Sequence, residues 1–119
     1  MALPEDREVR LRCYRNALRN WPYDGYIVPK KRVEEWLRQE LPEFLWRDIR
    51  AELFRYVEAG GEIDEQAETR PEFVHYEFHF DLRVEIGGRR LYFETVLEIR
   101  KDPDDPDDPM IVVVNVHDV

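Results

Sequence analysis

Ionisable side chains occupy every second position over residues 74–86, and apolar side chains fill the positions between them. Such period-two alternation predicts a β-strand with one polar and one apolar face. Imidazole, carboxylate and guanidinium groups on one surface could exchange protons and bind an anion near neutral pH. This polar face is therefore the candidate site, and its members on the strand are His75, Glu77, His79, Asp81, Arg83 and Glu85.

Two glycines at residues 87–88 predict a tight hairpin turn, because type I′ and II′ turns need positive φ. With these glycines as the loop, nearly every cross-strand pair on the apolar face is apolar, which supports this register. On the polar face the same register pairs Asp81 with Glu94 and Glu77 with Glu98. Like charges directly opposite one another destabilise a sheet. Solvent, nearby cations, protonation of one acid or a metal ion must offset that repulsion.

Metal-independent RNA cleavage is the enzymatic reaction that these groups fit. The ribose 2′-hydroxyl attacks its own phosphate, so the site needs an acid, a base and a cation for the phosphorane. Histidine and glutamate would move the protons, arginine would stabilise the anion, and an aromatic ring could stack on a base. The predicted catalytic residues are His75, Glu77, His79, Arg83, Tyr92, Glu98 and His117. No cofactor is predicted, although His75 and His79 with their neighbouring carboxylates could alternatively hold a divalent cation.

Charge is distributed unequally along the chain. Residues 1–56 carry 12 Lys and Arg against 10 Asp and Glu, and residues 57–119 carry 6 against 17, so the balances are +2 and −11. An acidic surface repels nucleic acid and attracts cationic protein segments. The alternative function is therefore a non-catalytic acidic protein that binds a basic partner or blocks a nucleic-acid-binding site. A third possibility is that the polar face and the Asp-Pro loop 101–109 are solvated surface without a site.

Two or three helices are predicted before the hairpin. Proline and acidic residues near the start open the first helix, over about 4–20. A second helix covers about 29–41, and Pro42 either kinks it or opens a third. Glycines at 60–61 end the helical part. The residues that follow, 60–71, are polar without a clear period and are predicted to form a connecting loop, with a fourth strand within residues 62–70 as the alternative.

The last element is a β-branched strand over residues 110–119, which follows the Asp-Pro loop. Alternation predicts that its two faces differ: Val112, Val114 and Val116 face the core, whereas Ile111, Val113, Asn115 and His117 face the polar side. Apolar residues on the polar side, Val96 among them, indicate that a loop, a helix or a second copy of the chain partly covers this face. A homo-oligomer through this partly apolar face is therefore one expectation.

These elements predict an α+β fold, with two or three N-terminal helices packed on one face of a three- to four-stranded antiparallel β meander. One domain spans residues 1–119, with a helical part at 1–59 and the meander at 72–119. This order of elements resembles the architecture of small ribonuclease toxins of the RelE and barnase-like class. The resemblance implies an endoribonuclease of the toxin type, whereas the acidic balance of this chain departs from the basic balance of such toxins.

Composition bounds the class of protein. With 43% hydrophobic residues, a 119-residue chain can bury one core, and none of its apolar runs is long enough for a membrane span. The single cysteine, Cys13, excludes an internal disulfide. Residues 1–6 lack the basic and apolar regions of a signal peptide. A cytoplasmic protein is expected, with RNA or a basic protein rather than a membrane as partner.

Overall fold

The computed structural model of the chain describes residues 2–73 and 75–119. Helices α1 (Arg7–Arg19), α2 (Lys31–Glu40) and α3 (Trp46–Glu58) pack on one face of a five-stranded sheet. The strands are β1 (Ile27–Pro29), β2 (Asp64–Ala67), β3 (Phe78–Ile86), β4 (Arg89–Glu98) and β5 (Met110–Asp118). Their spatial order is β1-β5-β4-β3-β2. The predicted α+β class is confirmed.

Local sequence signals explain where the predicted elements begin and turn. Asp6 caps α1, because its Oδ1 accepts a hydrogen bond of 2.8 Å from the backbone N–H of Glu8. Strands β3 and β4 pair in the predicted register, which places Asp81 opposite Glu94. The turn residues 87 and 88 have φ of 60° and 77°. Glycine therefore gives this hairpin its two-residue turn at little conformational cost.

The sheet is mixed, so the prediction of a purely antiparallel meander was wrong. Strand β1 lies within the part predicted to be helical and runs parallel to β5, with Ile27 beside Ile111. Strand β2 lies within the predicted connecting loop and runs antiparallel to β3, with Asp64 beside Asp81. Edge strands of three or four residues are too short to show alternation, and β1 ends in Pro29.

A β-bulge in β5, opposite the step from Glu94 to Thr95 in β4, changes which side chains face the helices. Val114 is the additional residue, and strict alternation does not hold across such an insertion. The predicted orientations of residues 111–114 were therefore wrong, whereas that of Val116 was right. The helix-side core takes Ile111, Val113 and Val116, and the opposite face takes Val112 and Val114.

The face that the helices leave free is partly covered by a segment of the same chain, residues 68–73 and 75–77, hereafter the covering segment. It contains a 3-10 turn (Pro71–Phe73). A 2.9 Å hydrogen bond from the Glu68 N–H to the Glu77 carbonyl connects its two ends. With Tyr76 from this segment, an apolar cluster on the free face buries Val96, Val112 and Val114. The predicted cover of this face is therefore supplied by the chain itself, and the homo-oligomer stays a prediction.

Within the described residues, none of the helices combines the length and the apolar character that a bilayer crossing requires.

Candidate functional site

Five side chains form a polar cluster on the free face of the sheet, hereafter the sheet-face network: Glu68, Arg70, His79, Asp81 and Glu94. The opposed acids Asp81 and Glu94 are only 4% and 5% exposed. Arg70 Nη2 lies 2.9 Å from Glu68 Oε2 and 2.5 Å from Glu94 Oε2. His79 Nδ1 lies 2.9 Å from Asp81 Oδ1. The Arg70 guanidinium beside Glu94 and the His79 hydrogen bond to Asp81 thus offset the predicted repulsion between these two acids.

Hydrogen bonds set the charge states in and beside this network. The side-chain hydrogen bonds from Arg70 lower the pKa of Glu68 to about 2, although burial acts in the opposite direction. The same contacts raise the pKa of the Arg70 guanidinium. Burial, and next a hydrogen bond to Asp81, raise the pKa of the neighbouring Tyr92 phenol. Near neutral pH, Glu68 and Arg70 are therefore charged, and Tyr92 is a neutral hydrogen-bond donor.

The contact between His79 and Asp81 has the geometry of an oriented acid–base group. A carboxylate that binds one imidazole nitrogen fixes the orientation and the tautomer of the ring. When Nδ1–H donates to Asp81, Nε2 is the nitrogen that can accept a proton. The His79 side chain is 16% exposed, so solvent still reaches the ring.

Arg83, Tyr92 and His117 form a row across β3, β4 and β5 that adjoins the sheet-face network, because Tyr92 interacts with Asp81. The Arg83 guanidinium carbon lies 5.4 Å from the Tyr92 ring centroid, and the rings of Tyr92 and His117 stack with centroids 4.8 Å apart. His79 precedes Arg83 by four residues on β3, a separation of about 13 Å along a strand. The structure therefore does not bring His79 together with Arg83 and His117.

The remaining predicted residues, His75, Glu77 and Glu98, line a pocket of about 290 Å³ at the end of the hairpin remote from its turn. We call it the strand-end pocket. Its other walls are mostly apolar: Leu3, Tyr76, Phe78, Leu97 and Ile99. The seven predicted residues are therefore divided among three places: this pocket, the row, and the sheet-face network, which holds His79.

Glu77 and Glu98 were predicted to lie opposite each other as a cross-strand pair, and the structure does not pair them in this way. Strand β3 begins only at Phe78, so Glu77 lies before the paired residues. A 3.0 Å hydrogen bond joins the Tyr76 N–H to the Phe73 carbonyl. Burial, and next the charge of Glu98, raise the pKa of the Tyr76 phenol. Glu98 and Tyr76 thus interact across the pocket.

Residues 101–109, hereafter the acidic loop, are anchored by one of their own aspartates. Asp108 Oδ2 accepts hydrogen bonds of 2.7 Å and 3.0 Å from the N–H groups of Arg100 and Lys101. Burial alone would raise the pKa of Asp108, but these backbone hydrogen bonds outweigh it, and the pKa is lowered. The other aspartates of the loop are exposed to solvent: Asp102, Asp104, Asp105 and Asp107.

The sequence did not indicate two members of the sheet-face network, Glu68 and Arg70. Nor did it indicate that Asp108 accepts hydrogen bonds from the backbone of Arg100 and Lys101. The opposed pair of Asp81 and Glu94 did signal that a cation was needed. It could not identify that cation, because Arg70 is distant along the chain and lies in a segment without periodicity.

Among residues 2–73 and 75–119, no group of three or more His, Cys, Asp and Glu side chains is arranged to hold a metal ion. Comparison with protein-family models, with curated proteins and with solved structures found no match to this chain.

Proposed function

We propose that this protein is a non-catalytic binding module whose residues 57–119, hereafter the β half, attach a basic partner. The observation that carries the proposal is how its charges are paired. Arg70, Arg83 and Arg89 all form ion pairs with carboxylates of the same chain. The exposed aspartates of the acidic loop form no ion pair with any described residue. The surplus of −11 in this half is therefore carried largely by groups that are free to meet an external cation.

Physical chemistry favours a polypeptide rich in lysine and arginine as that partner. A surface with excess charge of one sign produces a field that speeds the encounter with oppositely charged molecules. The same field repels the phosphates of nucleic acid, so a basic protein that binds nucleic acid is a suitable target. By occupying its basic surface, this protein would block that nucleic-acid-binding site. The single cysteine agrees with action in the cytoplasm.

Titration with a fluorescent Lys/Arg-rich peptide of about 15 residues tests the proposal. We expect binding that weakens steeply between about 20 mM and about 500 mM salt, because salt screens exposed charges. Changing Asp102, Asp104, Asp105 and Asp107 to Asn should lower the affinity at low salt by about tenfold. Binding that is insensitive to both changes would overturn the proposal.

A matched control separates a local surface from net charge alone. Glu5, Glu34, Glu35 and Glu43 are exposed residues of the helical part, outside the β half. Changing these four to Gln removes the same charge, but the affinity should fall by no more than about threefold. Equal losses in the two variants would mean that only the total charge attracts the peptide.

A second candidate function is favoured by the 2.9 Å contact between His79 and Asp81. An imidazole oriented by a nearly buried carboxylate is suited to general acid–base catalysis, so a ribonuclease of the toxin type is the enzymatic alternative. Because His117 lies in a different row, His79 would have to serve as both acid and base.

RNA cleavage assays test the enzymatic alternative. His79→Ala and Asp81→Asn should each lower the rate of RNA cleavage by about 100-fold or more, since both disrupt the same oriented base. His117→Ala is the matched control and should retain activity. If the wild-type protein leaves single-stranded RNA intact, or if His79→Ala cleaves normally, this alternative is wrong.

A further inference from the structure

The strand-end pocket combines two carboxylates with apolar walls. Glu98 is half-buried and Glu77 exposed, and neither carboxylate has a hydrogen bond or an ion pair with a described residue. Tyr76 and Phe78 supply aromatic surface to the same pocket of about 290 Å³. Among the described residues no cation forms an ion pair with either carboxylate, although the charge of Glu77 acts on Arg10 nearby. Two unpaired carboxylates beside a wall that can cover a hydrocarbon stem fit a long cationic side chain.

We propose that the strand-end pocket binds one arginine side chain of the basic partner, an inference that rests on the proposed function. The planar guanidinium can donate paired hydrogen bonds to a carboxylate and lie over an aromatic ring at the same time. A lysine ammonium is compact and strongly hydrated, so it gains less from an aromatic wall. Arginine is therefore the cation that uses both the carboxylates and the rings.

The protein already holds one of its own arginines in this manner, next to the pocket. Arg10 donates from Nε to Glu65 Oε1 at 2.7 Å and from Nη2 to Glu65 Oε2 at 3.2 Å. Its guanidinium carbon lies 4.0 Å from the centroid of the Phe78 ring. Phe78 also lines the strand-end pocket. A carboxylate together with an aromatic ring is thus an arginine-binding arrangement that this fold forms.

The test uses the full chain and N-acetyl-arginine N-methylamide as the probe, followed by backbone amide shifts in two-dimensional NMR. We expect the largest shift changes at residues that line the pocket, such as Tyr76, Phe78 and Glu98. The lysine analogue should bind about threefold more weakly, and the uncharged citrulline analogue should cause no saturable shift. Shift changes spread over the acidic loop instead would overturn the pocket assignment.

Two double variants test whether the basic partner occupies the pocket. The double change Glu77→Gln and Glu98→Gln should weaken both the arginine probe and the Lys/Arg-rich peptide by about tenfold. Glu35→Gln with Glu43→Gln removes the same charge from exposed positions of the helical part and should leave the probe unaffected. Amide spectra that match the wild type outside the pocket will show that both variants fold.

The outcomes separate this inference from the proposed function. If the peptide binds with the expected salt dependence but the pocket variant binds it normally, the arginine site is wrong and the proposed function stands. If the probe occupies the pocket but no basic peptide binds, the proposed function is wrong and the site for an arginine-like ligand stands. If the probe causes no change up to about 20 mM, the arginine site is wrong.

Discussion

Carboxylates in the β half are held in two different ways. In the sheet-face network, Glu68 and Glu94 are nearly buried and share the guanidinium of Arg70. In the acidic loop, Asp104 and Asp105 are exposed and form no ion pair with a described residue, although Arg12 lines the same surface depression as Asp104. A buried carboxylate must be paired, whereas an exposed one is stabilised by water. The network should therefore affect folding, and the loop should affect binding.

The largest effect is expected from removing the shared cation of the network. Arg70→Met leaves Glu68 and Glu94 without their guanidinium, and breaking a buried ion pair is strongly destabilising. Because Arg70 itself is 38% exposed, we expect a moderate loss of about 2–3 kcal/mol in the free energy of unfolding. Urea unfolding followed by tryptophan fluorescence measures this loss.

Arg90 provides the matched control for this prediction. It is an exposed arginine on the same hairpin, opposite Glu85. Exposed pairs of this kind contribute little, so Arg90→Met should change the free energy of unfolding by no more than about 0.5 kcal/mol. Similar losses in the two variants would show that the buried network has no special role in folding.

Acid should reveal the contribution of Glu68. Its ordinary pKa of 4.5 falls to about 2 in the folded state, so the folded protein binds this proton less readily than the unfolded chain. The resulting stabilisation is complete above about pH 4.5 and is lost as the pH falls towards 2. We expect about 2 kcal/mol of pH-dependent stability from this group.

Urea unfolding at several pH values measures that contribution, with Glu68→Gln as the variant that cannot titrate. Its stability should fall less steeply between pH 4.5 and 2 than that of the wild type. Glu72→Gln, a change at an exposed neighbour, should follow the wild-type curve. Parallel curves for Glu68→Gln and the wild type would contradict the assigned role of the Arg70 contact.

Asp108 belongs to the acidic loop but is held like the carboxylates of the network. Replacing it with Ala removes the acceptor for the N–H groups of Arg100 and Lys101. We expect the melting temperature to fall by about 4 °C, with Asp104→Ala as the nearly neutral control. Differential scanning calorimetry of both variants decides whether the Asp108 carboxylate anchors the loop, since equal shifts would exclude this role.

How far sequence predicts this molecule depends on how local each signal is. The hairpin register followed from two glycines and an alternating pattern, and the structure confirms it at Asp81 and Glu94. The bulge beside Thr95 was not predictable, because one additional residue in β5 leaves the sequence equally β-branched. Its consequence is large, since it exchanges the predicted faces of Val112, Val113 and Val114, whereas Val116 keeps its predicted face.

The candidate site was predictable only in part for the same reason. Alternation indicated one polar face and selected seven residues on it, but strand β3 begins at Phe78, so His75 and Glu77 lie before it. Arg70 reaches Glu94 from a segment whose sequence shows no period. Contacts made by irregular segments depend on tertiary structure, and a single sequence contains no direct signal for them.

The smallest effect on folding should come from the largest change in charge. Changing Asp102, Asp104, Asp105 and Asp107 to Asn removes four charges, yet these side chains are exposed and have no ion pair among the described residues. We expect the melting temperature to stay within about 2 °C of the wild type, because relief of like-charge repulsion offsets the loss of turn hydrogen bonds. Calorimetry at low salt measures this shift. A fall as large as that for Asp108→Ala would mean that the loop carboxylates stabilise the fold, and the distinction between paired and available carboxylates would then fail.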